Sequence, residues 1–193
     1  MAVKLNKSMI SRVEALKILN DNIKSPNLVK HSLAVEAIMK GLAEYFKEDE
    51  EKWGILGLLH DIDYEKTKDK PEEHSLIGSQ MLKEMGFEDE FTRAVASHNE
   101  IHNILPDSLM AKALFVSDPL SGLIVASTLV LPSKKISDLT AENVLNRFKE
   151  KAFARGANRQ HILKCEEFLN LPLEKFIEIS LNSMKQIASD LDL

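Results

Sequence analysis

Leu28, His31, Val35, Ile38, Leu42 and Tyr45 recur at steps of three and four residues, the spacing of one buried stripe on a helix. The same period returns along most of the chain, while the strict alternation of a half-buried strand is nearly absent. It predicts helices over residues 8–23, 27–46, 49–61, 71–86, 89–99, 107–130, 140–154, 158–169 and 173–191. Pro26 breaks the first of these, and Asn27 is placed to cap the second. "DYEKTKDKP" reads as a polar loop, with Pro71, Glu72 and Glu73 suited to the first turn of the fourth helix. Pro119 should kink the long helix or split it just before "LSGLIV". The expectation is an all-α, single-domain bundle of eight to ten helices, with a core over 27–130 and a C-terminal helical extension over 135–193.

Composition narrows the chemistry. A chain of 193 residues can bury one full core, and a second independent domain would be cramped. Lys plus Arg number 25 against 30 for Asp plus Glu, a net charge of −5 without a dense basic run, so a nucleic-acid polymer is not expected as the main partner. Cys165 is the only cysteine, which excludes an internal disulfide and a thiolate zinc cluster. Any metal must then be held by imidazole, carboxylate and water. "MAVKLNKSMISR" lacks the apolar region of a signal peptide. "PLSGLIVASTLVLP", the longest apolar-leaning stretch, has about 14 residues where a membrane span needs roughly 20. A cytoplasmic protein with no membrane partner is expected, and its oligomeric state is left open.

The histidines fall on the apolar faces. His31 lies on the first stripe, His60 shares a face with Trp53 and Leu56, and His98 follows Phe91, Ala94 and Val95. In "GILGLLHDIDYEK" an apolar run ends abruptly in His60 and Asp61. Taken singly, each histidine also reads as a hydrogen-bonded core residue. Asp118 is harder to place that way, because "ALFVSDPLSGLIV" offers no cation within a helical turn. An unpaired carboxylate facing a core costs on the order of several kcal/mol. A divalent ion is the economical partner for inward imidazoles and carboxylates together. "HNEIH" spaces His98 and His102 like the ligands of a zinc protease helix, yet Glu100 stands one place too late for that chemistry. No G-x-S-x-G elbow and no Gly-rich phosphate loop is present.

With His31, then His60-Asp61, then Asp118 in order on helices, the chain resembles the HD superfamily of metal-dependent phosphohydrolases, whose signature is H…HD…D on an all-α core. "SDPLSGL" around Asp118 is similar to the family's "ADPLTGL" context. The whole chain, with "RFKEKAFARGANR" and its closing helix, resembles a subgroup of small bacterial HD proteins described as predicted hydrolases. Members with two metals carry two further histidines, and His74 and His98 stand at the matching places. The resemblance implies one ion on His31, His60, Asp61 and Asp118, and a second on His74, His98 and a bridging Asp61. His74 also reads as a solvated first-turn residue. The common HDIG reads HDID here, and Asp63 reads more simply as the start of the loop. The Gly-Tyr-Pro signature of cyclic-di-GMP phosphodiesterases is missing, which argues against that substrate.

What the resemblance implies is hydrolysis of a small phosphorylated metabolite or nucleotide by a metal-activated hydroxide, with His60 and Asp61 at the reacting centre. One or two divalent transition-metal ions (Fe, Mn, Zn, Co or Ni) suit the donor set. Lys66, Lys151, Arg155 and Arg159 are candidate phosphate donors, Arg through bidentate contacts, although a solvated helix end and a cap at Asn158 explain the basic segment equally. His102 is a candidate outer contact or substrate contact, and His161 lies outside the pattern. Two other readings remain: an HD-fold nucleotide- or protein-binding module without catalysis, and a di-iron HD-type oxygenase.

Overall fold

In the computed structural model, residues 10–193 are described; the predicted start of the first helix at Ser8 lies outside them. The helices are α1 (Arg12–Asn22), α2 (Pro26–Phe46), α3 (Glu50–Leu59), α4 (Tyr64–Thr67), α5 (Leu76–Glu84), α6 (Asp89–Ser97), α7 (Leu109–Leu129), α8 (Ala141–Lys149), α9 (Arg159–Leu163), α10 (Cys165–Leu169), α11 (Leu173–Gln186) and α12 (Ala188–Leu191). Two 3₁₀ turns, Glu100–His102 and Ile136–Asp138, complete the order, and no strand occurs among the described residues. The fold is all-α, and ten of these helices are longer than a single turn.

Local chemistry sets the boundaries. Ser11 and Glu14 close a reciprocal capping box on α1, and Thr140 with Asn143 does the same for α8. Pro26 is not only a breaker: it is the first residue of α2, where its missing N–H costs nothing. Ser25 caps α2 without a side-chain bond, and the Glu65 carboxylate instead accepts from the Ser25 and Lys24 amides at 2.6 and 2.9 Å. Glu65 sits on α4, a single helical turn inside the segment that reads as loop. The fourth predicted helix begins later, at Leu76, because Ser75 adopts φ +70° and interrupts the turns that start at Pro71. His60 and Asp61 follow the end of α3 rather than lying inside it.

α7 is the central element. It runs unbroken through Pro119, contrary to the expected split. Both halves are buried, with Leu114 and Val116 before the proline and Leu120, Leu123 and Ile124 after it fully enclosed, so packing holds the helix together. This helix is long and apolar enough to cross a membrane, but most of it is buried within the protein. α2 packs on α3, α7 and α11, and one continuous hydrophobic cluster extends from Ala15 to Leu191. Tyr45, on the predicted stripe of α2, is half exposed near the helix end.

Candidate metal centre

α2, α7 and the turns that follow α3 and α6 each bring a donor to one end of the bundle. The Asp61 carboxylate lies at the middle. Its Oδ1 is 3.2 Å from His98 Nε2, 3.3 Å from His74 Nε2 and 3.4 Å from His60 Nε2, while its Oδ2 is 3.6 Å from His31 Nε2. Asp118 Oδ1 lies 3.1 Å from His31 Nε2 and 3.8 Å from His60 Nε2. Three sets of donor atoms lie within 4.8 Å of one another: His31, His60 and Asp61; His60, His98 and Asp118; and Asp61, His74 and His98.

The outward nitrogen of every imidazole is anchored. His60 Nδ1 donates to the Gly57 carbonyl at 2.8 Å, and His98 Nδ1 to the Val95 carbonyl at 2.6 Å. His74 Nδ1 donates to Asp63 Oδ1 at 3.1 Å. Ser121 Oγ gives its proton to the Asp118 carbonyl at 2.8 Å and therefore accepts from His31 Nδ1 at 3.2 Å. Four Nδ1–H groups point away, so four Nε2 atoms face the carboxylates. This is the arrangement by which outer partners orient metal-ligating histidines. His60 Nε2 and His98 Nε2 are buried and make no hydrogen bond. An orphaned buried nitrogen calls for a partner, and a divalent cation satisfies both nitrogens and the carboxylates together. The residues fit a metal.

Charge follows the same geometry. Burial alone would lower the His60 imidazole, but Asp61 and Asp118 outweigh it and raise its pKa to about 9. His74, against Asp61 and Asp63, is likewise raised to about 10 in spite of burial. Burial acts to raise Asp61 and Asp118, yet the surrounding imidazoles hold both well below the usual carboxylate range. In the metal-free chain a cation must therefore displace protons from Nε2 atoms. Affinity for a divalent ion is expected to rise with pH toward about 9 to 10 and then level. Calorimetric titration in buffers of different ionisation enthalpy should show stronger binding at pH 8 than at pH 6, with proton release.

Asp63 departs from its expected place at the start of a loop. It is fully buried, and its Oδ2 accepts from the Ser75 and Gly78 amides, both at 2.8 Å, so it caps α5 from a distant segment. A Cβ on Gly78 would meet this carboxylate at 3.1 Å, so glycine lets α5 come close. Asp63 also aims His74. Asp63→Ala is expected to lower the affinity for an ion held through His74 by about 10- to 100-fold, measured by the same titration.

The cavity over the cluster, about 520 Å³, is lined by His31, Asp61, His74, His98 and Asp118, and also by Tyr64, Glu100, Asn158 and His161. Tyr64 stands edge-on to His74, with ring centroids 5.2 Å apart. The expected cationic donors are not brought to this lining. Lys66 is exposed and donates to Asn22 Oδ1 at 2.9 Å. Lys151 and Arg155 are exposed on the turn after α8. Arg159 spends its guanidinium on the backbone carbonyls of Arg147, Phe148, Phe153, Ala154 and Ala157, at 2.7 to 3.4 Å. It satisfies the end of α8 and the following turn, and that turn contributes Gly156, Ala157 and Asn158 to the cavity wall. His102 lies behind His74, with Nε2 2.7 Å from the His74 carbonyl.

An all-α bundle that gathers four imidazoles and two carboxylates around one point defines a metal-binding protein. Residues 28–123 match the HD domain family, and the chain belongs to that family, part of a superfamily of metal-dependent phosphohydrolases. Ribonuclease Y of Oleidesulfovibrio alaskensis is 30% identical over 141 residues, covering 70% of this chain and 26% of that protein. Ribonuclease Y of Lawsonia intracellularis is 28% identical over 137 residues, covering 69% and 26%. An uncharacterized protein of Methanocaldococcus jannaschii is 36% identical over 90 residues, covering 44% and 52%. The chain thus spans about a quarter of the length of these ribonuclease Y relatives. No solved structure matches it.

Proposed function

We propose that this chain hydrolyses a phosphoric ester or anhydride in a small phosphorylated metabolite or nucleotide, using two divalent transition-metal ions. The observation that carries the reading is the inward set of four Nε2 atoms around Asp61, each held from behind at Nδ1. His31, His60, Asp61 and Asp118 would hold one ion, and His74, His98 and Asp61 the other. Bound there, divalent ions would supply Lewis acidity, acidifying water and neutralising charge on the phosphoryl oxygens. The chain's own part is placement. Donors on α2 and α7 and on the turns flanking α3, α5 and α6, with the imidazoles locked by their Nδ1 bonds, keep their directions while substrate enters. A cavity of about 520 Å³ suits a ligand of nucleotide size or smaller. Its lining carries no lysine or arginine among the described residues, which supports a small substrate over a polymer with many phosphates.

Similarity to ribonuclease Y favours a second reading, cleavage of an RNA phosphodiester. One screen separates the two. The chain loaded with Mn²⁺, Co²⁺ or Fe²⁺ is offered phosphomonoesters, nucleotides, dinucleoside polyphosphates and a short RNA oligonucleotide. Turnover of the small esters or anhydrides is expected. Cleavage of RNA alone would favour the second reading, oxygen uptake without phosphate release would favour an oxygenase, and inertness of the loaded chain toward every compound would remove catalysis.

A further inference from the structure

His161 is the one histidine of the cavity that belongs to none of the close donor sets among the described residues. It lies on α9, three residues after the N-cap Asn158, and its side chain is mostly buried. The ring lies against Phe115 of α7 at 4.4 Å between centroids, one turn before Asp118. On the other side, His161 Nε2 lies 2.6 Å from Glu100 Oε2, on the 3₁₀ turn just after His98. An aromatic face and a carboxylate therefore fix this imidazole from two elements. Nε2–H donates to Glu100, and Nδ1 makes no hydrogen bond among the described residues. An imidazole that lines the cavity, paired through one nitrogen with a carboxylate and making no hydrogen bond at the other, has the makings of a general acid.

We infer that His161 is the proton donor to the leaving oxygen and that Glu100 is its positioning residue. This rests on the phosphohydrolase reading above. In the step, water oxygen forms a bond to phosphorus and loses a proton to solvent. The bond from phosphorus to the leaving oxygen breaks, with its electron pair going to that oxygen. His161 Nδ1 gives its proton to the same oxygen, so alcohol and inorganic phosphate leave, and solvent reprotonates the imidazole. Glu100 supports the imidazolium before transfer and fixes the orientation of the ring. An acid of this kind matters only where the leaving group is basic. Such a site is therefore suited to esters of sugar or ribose hydroxyls, whose alkoxides leave poorly without a proton.

The test compares two esters in the metal-loaded chain, p-nitrophenyl phosphate with a good leaving group and glycerol 2-phosphate with a poor one. His161→Asn is expected to lower kcat on the alkyl ester by about 100-fold or more, with less than about threefold loss on the nitrophenyl ester and unchanged metal content. Glu100→Gln is expected to show the same selectivity with a smaller loss. His161→Asn losses of equal size on both esters, or on neither, would overturn the assignment and leave a structural strap between α9 and the turn after α6. If wild-type protein carrying its metal turns over neither ester, the hydrolase reading falls for phosphomonoesters, and the assignment falls with it. If His161→Asn fails to fold or to keep metal, His161→Gln provides the same comparison, and equal losses there also overturn it.

Discussion

Asp61→Ala is expected to abolish metal retention and to lower turnover by about 1,000-fold or more. Asp61 is the side chain that reaches His31, His60, His74 and His98 together, at 3.2 to 3.6 Å. Without it, neither proposed ion keeps its shared oxygen. Lewis-acid stabilisation is worth several kcal/mol, and each 1.36 kcal/mol is a factor of ten in rate, so about 1,000-fold is the modest end. The same substitution has a pH signature in the metal-free protein. A carboxyl held below its ordinary pKa of 3.8 adds stability that is present above that value and is lost as pH falls through the folded pKa. His60, raised to about 9, adds stability below 6.5 that is lost as pH climbs through 9. Asp61→Ala should flatten both limbs of a plot of Tm against pH. Elemental analysis, turnover and that plot together check the prediction, and an Asp61→Ala protein with full metal content would refute it.

Gly57→Ala is the second large effect, and it acts on the fold that carries the site. A Cβ at Gly57 would stand 2.9 Å from the Glu36 nitrogen and from the Val35 carbonyl carbon and oxygen, all of them backbone of α2. Backbone cannot swing aside, so α2 and α3 must separate. Alanine gains about 1 kcal/mol over glycine from helix propensity, while overpacking costs roughly 1–3 kcal/mol and occasionally more. With backbone facing backbone the clash falls at the upper end of that range, so it wins by about 2 kcal/mol, a fall in Tm of roughly 4–8 °C for a chain of this size. The site feels it as well, because the Gly57 carbonyl is the anchor of His60 Nδ1. Weaker ion binding should accompany the lower Tm in thermal scans with and without Mn²⁺. An unchanged Tm would show that the two helices have slack at this point.

Gly54 makes a useful contrast. There the three atoms nearest a Cβ all belong to the flexible Lys40 side chain, so Gly54→Ala should be milder than Gly57→Ala.

The sequence made some parts of this site visible and hid others for physical reasons. His31, His60, His98 and Asp118 stood out because a polar group on an apolar helical stripe breaks a local pattern. His74 has no such stripe, and only the resemblance to a family points to it. Asp63 was hidden because its partners, the Ser75 and Gly78 amides, belong to a helix end 12 and 15 residues away. His161 does not stand out in the sequence because its significance depends on Glu100, 61 residues distant, and on the ring of Phe115. Arg159 reads as a candidate phosphate ligand in the sequence because it belongs to a basic cluster beside a glycine. The backbone carbonyls it satisfies instead become visible only once the turn after α8 has folded. The helices themselves were legible from period alone, apart from breaks such as Lys164 between α9 and α10 and the extra turn at α4.

The most direct measurement is anomalous diffraction from crystals of the chain loaded with Co²⁺. The account predicts two peaks, one among His31, His60, Asp61 and Asp118 and one among Asp61, His74 and His98, with Asp61 shared. Crystals soaked to saturation that show no peak within bonding distance of these side chains would contradict it.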